Sequence, residues 1–140
     1  MAAKVYLDGW VRVERLGRER VDGRFRGGDL RGEVAWVASG HPYEYLHVIA
    51  FAAAGVRRGF HRHTAHRETL YLFQGALRFL ARRPGHPRLE LELEAGDLVT
   101  LAPGVAHGFV ARTPSLAVAM GTGSDPVEDC VAVPELGEGS

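Results

Sequence analysis

Gly55-Val-Arg-Arg-Gly-Phe-His-Arg-His-Thr-Ala-His-Arg-Glu-Thr-Leu-Tyr-Leu-Phe-Gln-Gly75 is the stretch on which the reading of this chain turns. It sets His61, His63 and Glu68 between two glycines, with Phe60 and Arg62 alternating around the first two histidines. In a strand, residues i and i+2 share a face, with Cα atoms about 6.5–7 Å apart. Two imidazoles at that separation lean onto one ion at bond lengths of roughly 2.0–2.1 Å. Glu68 lies an odd number of residues beyond His63, so it reaches the same point only if the chain turns in between. Thr64 to Arg67 has the length of a turn. A second stretch supplies a fourth donor: Gly96-Asp97 opens the apolar run Leu98-Val-Thr-Leu101, Ala102-Pro-Gly104 turns the chain, and His107 follows.

Phe60, Leu70, Leu72 and Phe109 flank these donors and imply burial. Three imidazoles and a carboxylate buried without a metal or hydrogen-bond partners cost on the order of several kcal/mol. A divalent ion on His61, His63, Glu68 and His107 removes that cost and leaves open coordination positions, as a catalytic site requires. The donor set suits Fe, Mn, Zn, Ni or Co without choosing among them. The alternative is a metal-free pocket in which His61 or Glu68 is an acid or base. His66, in the turn between the donors, is expected at the surface, and His47 is expected as a hydrogen-bonded structural histidine.

The 140 residues suit one domain with one core. Eighteen Gly and seven Pro fit short strands and tight turns. Lys plus Arg equals Asp plus Glu at 17 each, so net charge gives no case for a nucleic-acid partner. The single cysteine, Cys130, excludes an intrachain disulfide and a Cys-rich zinc site; it is expected as a small, partly buried apolar residue. No apolar leader segment opens the chain and no apolar run approaches a membrane span, so a cytoplasmic protein without a membrane partner is expected.

Val11 and Val13 begin a short alternating strand, and Glu33–Val37 and Tyr43–Phe51 read as further strands. Leu89-Glu-Leu-Glu-Leu-Glu94 alternates throughout, the mark of a strand with one wet face. Eight to eleven such strands with Gly and Pro turns, and no helix of length, predict an all-β, antiparallel jelly-roll barrel. Residues 1–32 are expected as an N-terminal strand and loop, 33–133 as the barrel and 134–140 as a flexible tail.

The two donor stretches together resemble the cupin superfamily. The first matches at Gly55, His61, His63, Glu68 and Gly75 with the family's spacing; the second matches at Gly96, Asp97, Pro103, Gly104 and His107. It departs at Ala102, where the family usually has Pro, and at Ala111, where Asn is often found. The resemblance implies a double-stranded β-helix barrel and a divalent transition metal on the four donors. It also implies a homodimer in which an N-terminal strand, here Val11 to Leu16, extends the partner's sheet.

Within the superfamily, Arg58-Gly-Phe-His61 resembles a segment of deoxysugar 3,5-epimerases and 3,4-ketoisomerases. Gly104-Val-Ala-His-Gly-Phe109 and Asp29-Leu-Arg-Gly32 are similar to segments of the epimerases. Carried over, His61 is the base that removes a proton α to a ketone, and Arg58 binds the small-molecule substrate or its phosphates. The epimerases' late tyrosine acid has no counterpart in Ala117–Thr122, and His63 and Glu68 stand where those metal-free enzymes usually lack a full ligand set. That pattern is closer to the metal-binding cupin domains of polysaccharide-biosynthesis reductases, and some small bacterial cupins resemble polyketide cyclases. The implied activity is isomerisation, epimerisation or cyclisation of a keto-sugar or polyketide-type metabolite. An Fe(II)-dependent dioxygenase and a non-enzymatic metabolite-binding cupin stand as alternatives.

Overall fold

The structure is a computed structural model and describes residues 3–138. Strands β1 (Lys4–Tyr6), β2 (Val11–Arg15), β5 (Tyr45–Phe51), β7 (His66–Gln74), β10 (Asp97–Leu101) and β12 (Ser115–Gly123) form a six-stranded sheet in the order β1-β2-β10-β7-β12-β5. Strands β6 (Arg57–Arg62), β8 (Ala76–Arg82), β9 (Leu89–Glu94), β11 (Ala106–Ala111) and β13 (Val131–Ala132) form a five-stranded sheet in the order β13-β6-β11-β8-β9. Strands β3 (Phe25–Asp29) and β4 (Gly32–Trp36) make a separate hairpin. Every strand pairing is antiparallel. This is the predicted all-β jelly roll, and among the described residues no helix is long and apolar enough to cross a membrane.

Period-two alternation sorts side chains between the core and water. On β9, Leu89, Leu91 and Leu93 pack on the core while the glutamates between them are exposed. Glu90 and Glu92 pair with Arg78 and Arg112 across the wet face. The inner faces bury Leu70, Leu72, Leu77, Phe79, Val99 and Leu101 in one cluster; each such side chain contributes roughly 1.5–3 kcal/mol of burial. On β5, Ile49 and Phe51 join this core, whereas Leu46 and Val48 are exposed on the outer face.

Two segments sit differently from the sequence expectation. Val11–Arg15 pairs along its whole length with β10 of the same chain, and Val11 is fully buried, so its ladder is filled from within. The division expected after residue 32 falls inside the β3–β4 hairpin. Pro134–Gly137, expected to be part of a flexible tail, forms a 3-10 turn instead. Its Leu136 is fully buried because it covers Leu80 and Ala106, with Phe60 and Val133 packed alongside. Residues 139 and 140 lie outside the described residues.

Candidate metal centre and cavity

The site begins with a bulge. His107 pairs with His61, but Gly108 pairs with Gly59, so β6 carries one extra residue, Phe60. Gly59 and Phe60 both have positive φ, 87° and 58°. A non-glycine residue held there costs about 1–3 kcal/mol and persists only where its surroundings fix it. The Phe60 ring occupies the space a Cβ on Gly108 would need, 2.8 Å from the ideal Cβ position. The Arg57 guanidinium lies 4.1 Å from its centroid, and the Phe60 carbonyl accepts from the Val133 N–H at 2.7 Å. The extra residue has a consequence for function. Strict alternation puts Arg58 and His61 on opposite faces; with the bulge, both line one cavity.

His61 comes from β6, His63 from just beyond it, Glu68 from β7 and His107 from β11. One donor atom from each lies within 4.8 Å of all the others. His63, Glu68 and His107 are buried, and His61 is half-buried. Glu68 Oε2 sits 3.6 Å from His63 Nε2 and 3.5 Å from His107 Nε2. Donors around one ion at roughly 2.0–2.2 Å are separated by about 3–4 Å, so these pairs already have a coordinating spacing. The backs of two rings are anchored. His63 Nδ1 donates to the Asp129 carbonyl, and His107 Nδ1 donates to the Val105 carbonyl at 3.1 Å. A carbonyl only accepts, so each Nδ1 carries the proton, and in the neutral rings each Nε2 presents a lone pair toward Glu68.

Burial pushes the Glu68 carboxyl up, but His107 and His63, which face it at 3.5 and 3.6 Å and carry positive charge whenever Nε2 is protonated as well, outweigh it and hold the group well below the usual carboxylate range. Burial, with the neighbouring His107 and His63, pushes His61 down to about 4. His63 is raised: burial works against its charged form, but Glu68 and the Asp129 carbonyl favour it more strongly. The cluster is therefore an anionic carboxylate among imidazoles, a donor set that fits a divalent transition metal.

The cluster lies against a cavity of about 540 Å³. Ile49, Phe51, Leu70 and Phe109 give it apolar walls, and Arg58, His47 and Cys130 add polar groups. Arg58 Nε donates to the Ala50 carbonyl at 3.0 Å. Pro126 and Val127, from the loop after β12, line it too. An adjoining hollow of about 450 Å³ shares His47, Pro126 and Val127 and contains Tyr45 and His66.

Three residues depart from expectation. His66 is 2 % exposed, not a surface residue, because it opens β7 on the inward side. Its Nδ1 donates to the Ser124 carbonyl at 3.1 Å, which leaves Nε2 to accept from the Tyr45 hydroxyl. Gly121 makes room for this pair: a Cβ there would meet His66 Cε1 at 2.6 Å and the Tyr45 hydroxyl at 2.7 Å. His47 is exposed, lines both cavities, and has no ring hydrogen bond among the described residues. Cys130 is exposed, not partly buried. Sequence reasoning missed Tyr45 and Asp129. Tyr45 shares a strand face with His47, which was a usable signal; Asp129 had none, since its contacts with His63, Thr64 and Ala65 span 64 to 66 residues.

No protein-family model matches the sequence, and no curated protein is similar to it in sequence. Solved structures do match the fold. A sugar 3,4-ketoisomerase, QdtA, from Thermoanaerobacterium thermosaccharolyticum in complex with TDP is 13% identical, with 87% of each chain covered and a TM-score of 0.69. A dTDP-4-dehydrorhamnose 3,5-epimerase from Bacillus anthracis with TDP and PPi bound is 20% identical, covering 98% of this chain and 89% of that one, with a TM-score of 0.72. ChmJ, a 3'-monoepimerase from Streptomyces bikiniensis in complex with dTDP-quinovose, is 18% identical, covering 93% and 74%, with a TM-score of 0.71. The chain thus has the cupin-type jelly-roll fold that its two donor motifs resemble.

Proposed function

We propose that this protein is a metal-dependent isomerase, epimerase or cyclase that moves a proton beside a carbonyl group of a small oxygenated metabolite. The convergence of His61, His63, Glu68 and His107 beside a cavity carries this reading. When bound, a divalent ion on these donors supplies Lewis-acid polarisation of the carbonyl oxygen. The chain's own residues supply the rest: His47, on the cavity wall with no ring hydrogen bond among the described residues, takes the proton. The Asp129 and Val105 carbonyls hold the His63 and His107 rings with Nε2 directed inward, and Glu68 stays anionic. Ile49, Phe51, Leu70 and Phe109 keep water from the reacting carbon, and Arg58 holds an anionic or carbonyl group of the substrate. The fold shared with enzymes named as sugar ketoisomerase and epimerases supports a keto-sugar substrate.

The test is metal content by mass spectrometry on protein purified without chelator or added metal. About one Fe, Mn, Zn, Ni or Co per chain is expected. No metal, and none taken up on reconstitution, sinks the metal-dependent reading. His61 favours a second reading in that event. It is half-buried, has no ring hydrogen bond among the described residues, and stays unprotonated at neutral pH, so it is placed to act as the base itself. Iron in the site brings in the dioxygenase alternative, which oxygen uptake with a candidate substrate decides.

We also infer a homodimer. Leu46 and Val48 are exposed on the outer face of β5, an edge strand, and Val34 and Trp36 are exposed on the hairpin. A second copy would cover these exposed apolar side chains. Light scattering should give twice the 15.3 kDa chain mass; a monomer at working concentration removes the inference.

A further inference from the structure

We propose that Asp129 is a positioning residue for His63: its carboxylate latches the 124–130 loop to the turn between β6 and β7, and its own carbonyl thereby fixes the His63 ring. The carboxylate accepts four hydrogen bonds. Thr64 donates from its backbone N–H at 2.9 Å and its hydroxyl at 2.6 Å, Ala65 donates from its N–H at 2.8 Å, and the Ser124 hydroxyl donates from within the loop. Thr64 and Ala65 follow His63 directly, so the latch grips the chain next to the donor it serves. The same residue's carbonyl takes the His63 Nδ1 proton.

The loop is built to keep that carbonyl in place. Val127 N–H donates to the Asp125 carboxylate at 2.8 Å, and Asp129 N–H donates to the Asp125 carbonyl at 2.8 Å. Pro126, Val127 and Cys130 from this loop also line the cavity. One anchor therefore sets both the aim of His63 Nε2 and the position of a cavity wall. His107 needs no such device, because the carbonyl behind it belongs to Val105, two residues away on its own segment. The partner behind His63 lies across 66 residues of chain and is held only if the loop is held.

The inference about the ring stands on hydrogen bonding alone; its consequence for metal rests on the proposed function. Two readings on the full chain test it: the His63 Nδ1–H resonance of ¹⁵N-histidine-labelled, metal-free protein, and affinity for cobalt(II) alone. In wild type the Nδ1 proton should be protected from exchange. In Asp129→Ala that protection should be lost, and cobalt affinity should fall about 10–100-fold although every ligand is present. Asp129→Asn, which keeps an oxygen for Thr64, should fall between. Asp29→Ala removes an exposed carboxylate paired with Arg31 and should change neither reading. An Asp129→Ala protein that folds, keeps the protected resonance and binds cobalt like wild type overturns the latch. If that variant does not fold, Asp129→Asn decides by the same two readings. If wild type binds no cobalt, the metal reading fails, and the resonance alone decides the latch.

Discussion

His66 and Glu68 point to the same side of β7, and both are buried, yet they belong to different kinds of site. Both ring nitrogens of His66 already have partners in the protein: the Ser124 carbonyl behind and the Tyr45 hydroxyl in front. The donors around Glu68 are arranged otherwise. His63 and His107 each use one nitrogen on a carbonyl behind and direct the other at the carboxylate. A buried histidine is thus not in itself a ligand. What marks a ligand is a fixed ring with its remaining nitrogen aimed at a point that other donors share.

The sharpest way to break this contrast is to remove a donor from one group and compare it with a change in the other. Glu68→Gln and His63→Ala should each lower cobalt affinity by at least about a hundredfold, since losing a partner behind a ligand already costs about 10–100-fold. Both variants should keep the barrel, whose core lies in the Leu70, Leu72, Leu77, Phe79 and Leu101 cluster. Titration followed by cobalt absorbance checks the affinity, and circular dichroism checks the fold. Unchanged affinity in His63→Ala would remove His63 from the ligand set.

A smaller effect should appear in the stability of the metal-free protein against pH. An unfolded histidine takes its proton near pH 6.5, but folded His61 does so only near 4. Between those values the unfolded chain binds more protons, so stability falls as pH falls through that window. His66 is lowered too, by burial and then by His63, and acts in the same direction. His63 is raised, so its contribution is fully present below pH 6.5 and is lost only as pH rises above that value; it does not change across this window. The two lowered histidines predict a melting temperature that falls from pH 6.5 to pH 4, with a shallower fall in His61→Ala. Equal slopes in the two proteins would show that His61 does not carry a depressed pKa.

Which parts of this were legible in sequence follows from the range of the interactions. The alternation of Leu89–Glu94 and the spacing of His61, His63 and Glu68 are local, and the strands they predicted are present. The meeting of His107 with His61 was legible only through a motif, because strand pairing itself leaves no mark on either stretch. The bulge at Phe60 was not legible: Gly59 permits it, but what holds Phe60 is Gly108, Val133 and the Leu136 cluster, all remote in sequence. His66 was misread for a related reason. A histidine between Ala65 and Arg67 looks like a turn residue until β12 places Gly121, and the loop after it Ser124, beside it.

The weakest expected effect is the most discriminating test of the contrast between His66 and the cluster. Burial raises the Tyr45 hydroxyl pKa, and the charge of Glu68 raises it further, so Tyr45 keeps its proton and donates it to His66. Tyr45→Phe removes that donor and leaves His66 Nε2 buried without a partner, at a cost of about 1–3 kcal/mol of stability. Because His66 is not among the four converging donors, cobalt affinity should stay within about twofold of wild type, below the roughly tenfold change that 1.4 kcal/mol of binding energy represents. The His66 ring lies 4.9 Å from His63, centroid to centroid, close enough for the freed nitrogen to compete if the ring can turn. Tighter cobalt binding in Tyr45→Phe would mean that the Tyr45 hydrogen bond keeps a fifth donor out of the site, and the division between the two groups would then be set by one hydroxyl rather than by the direction of the rings.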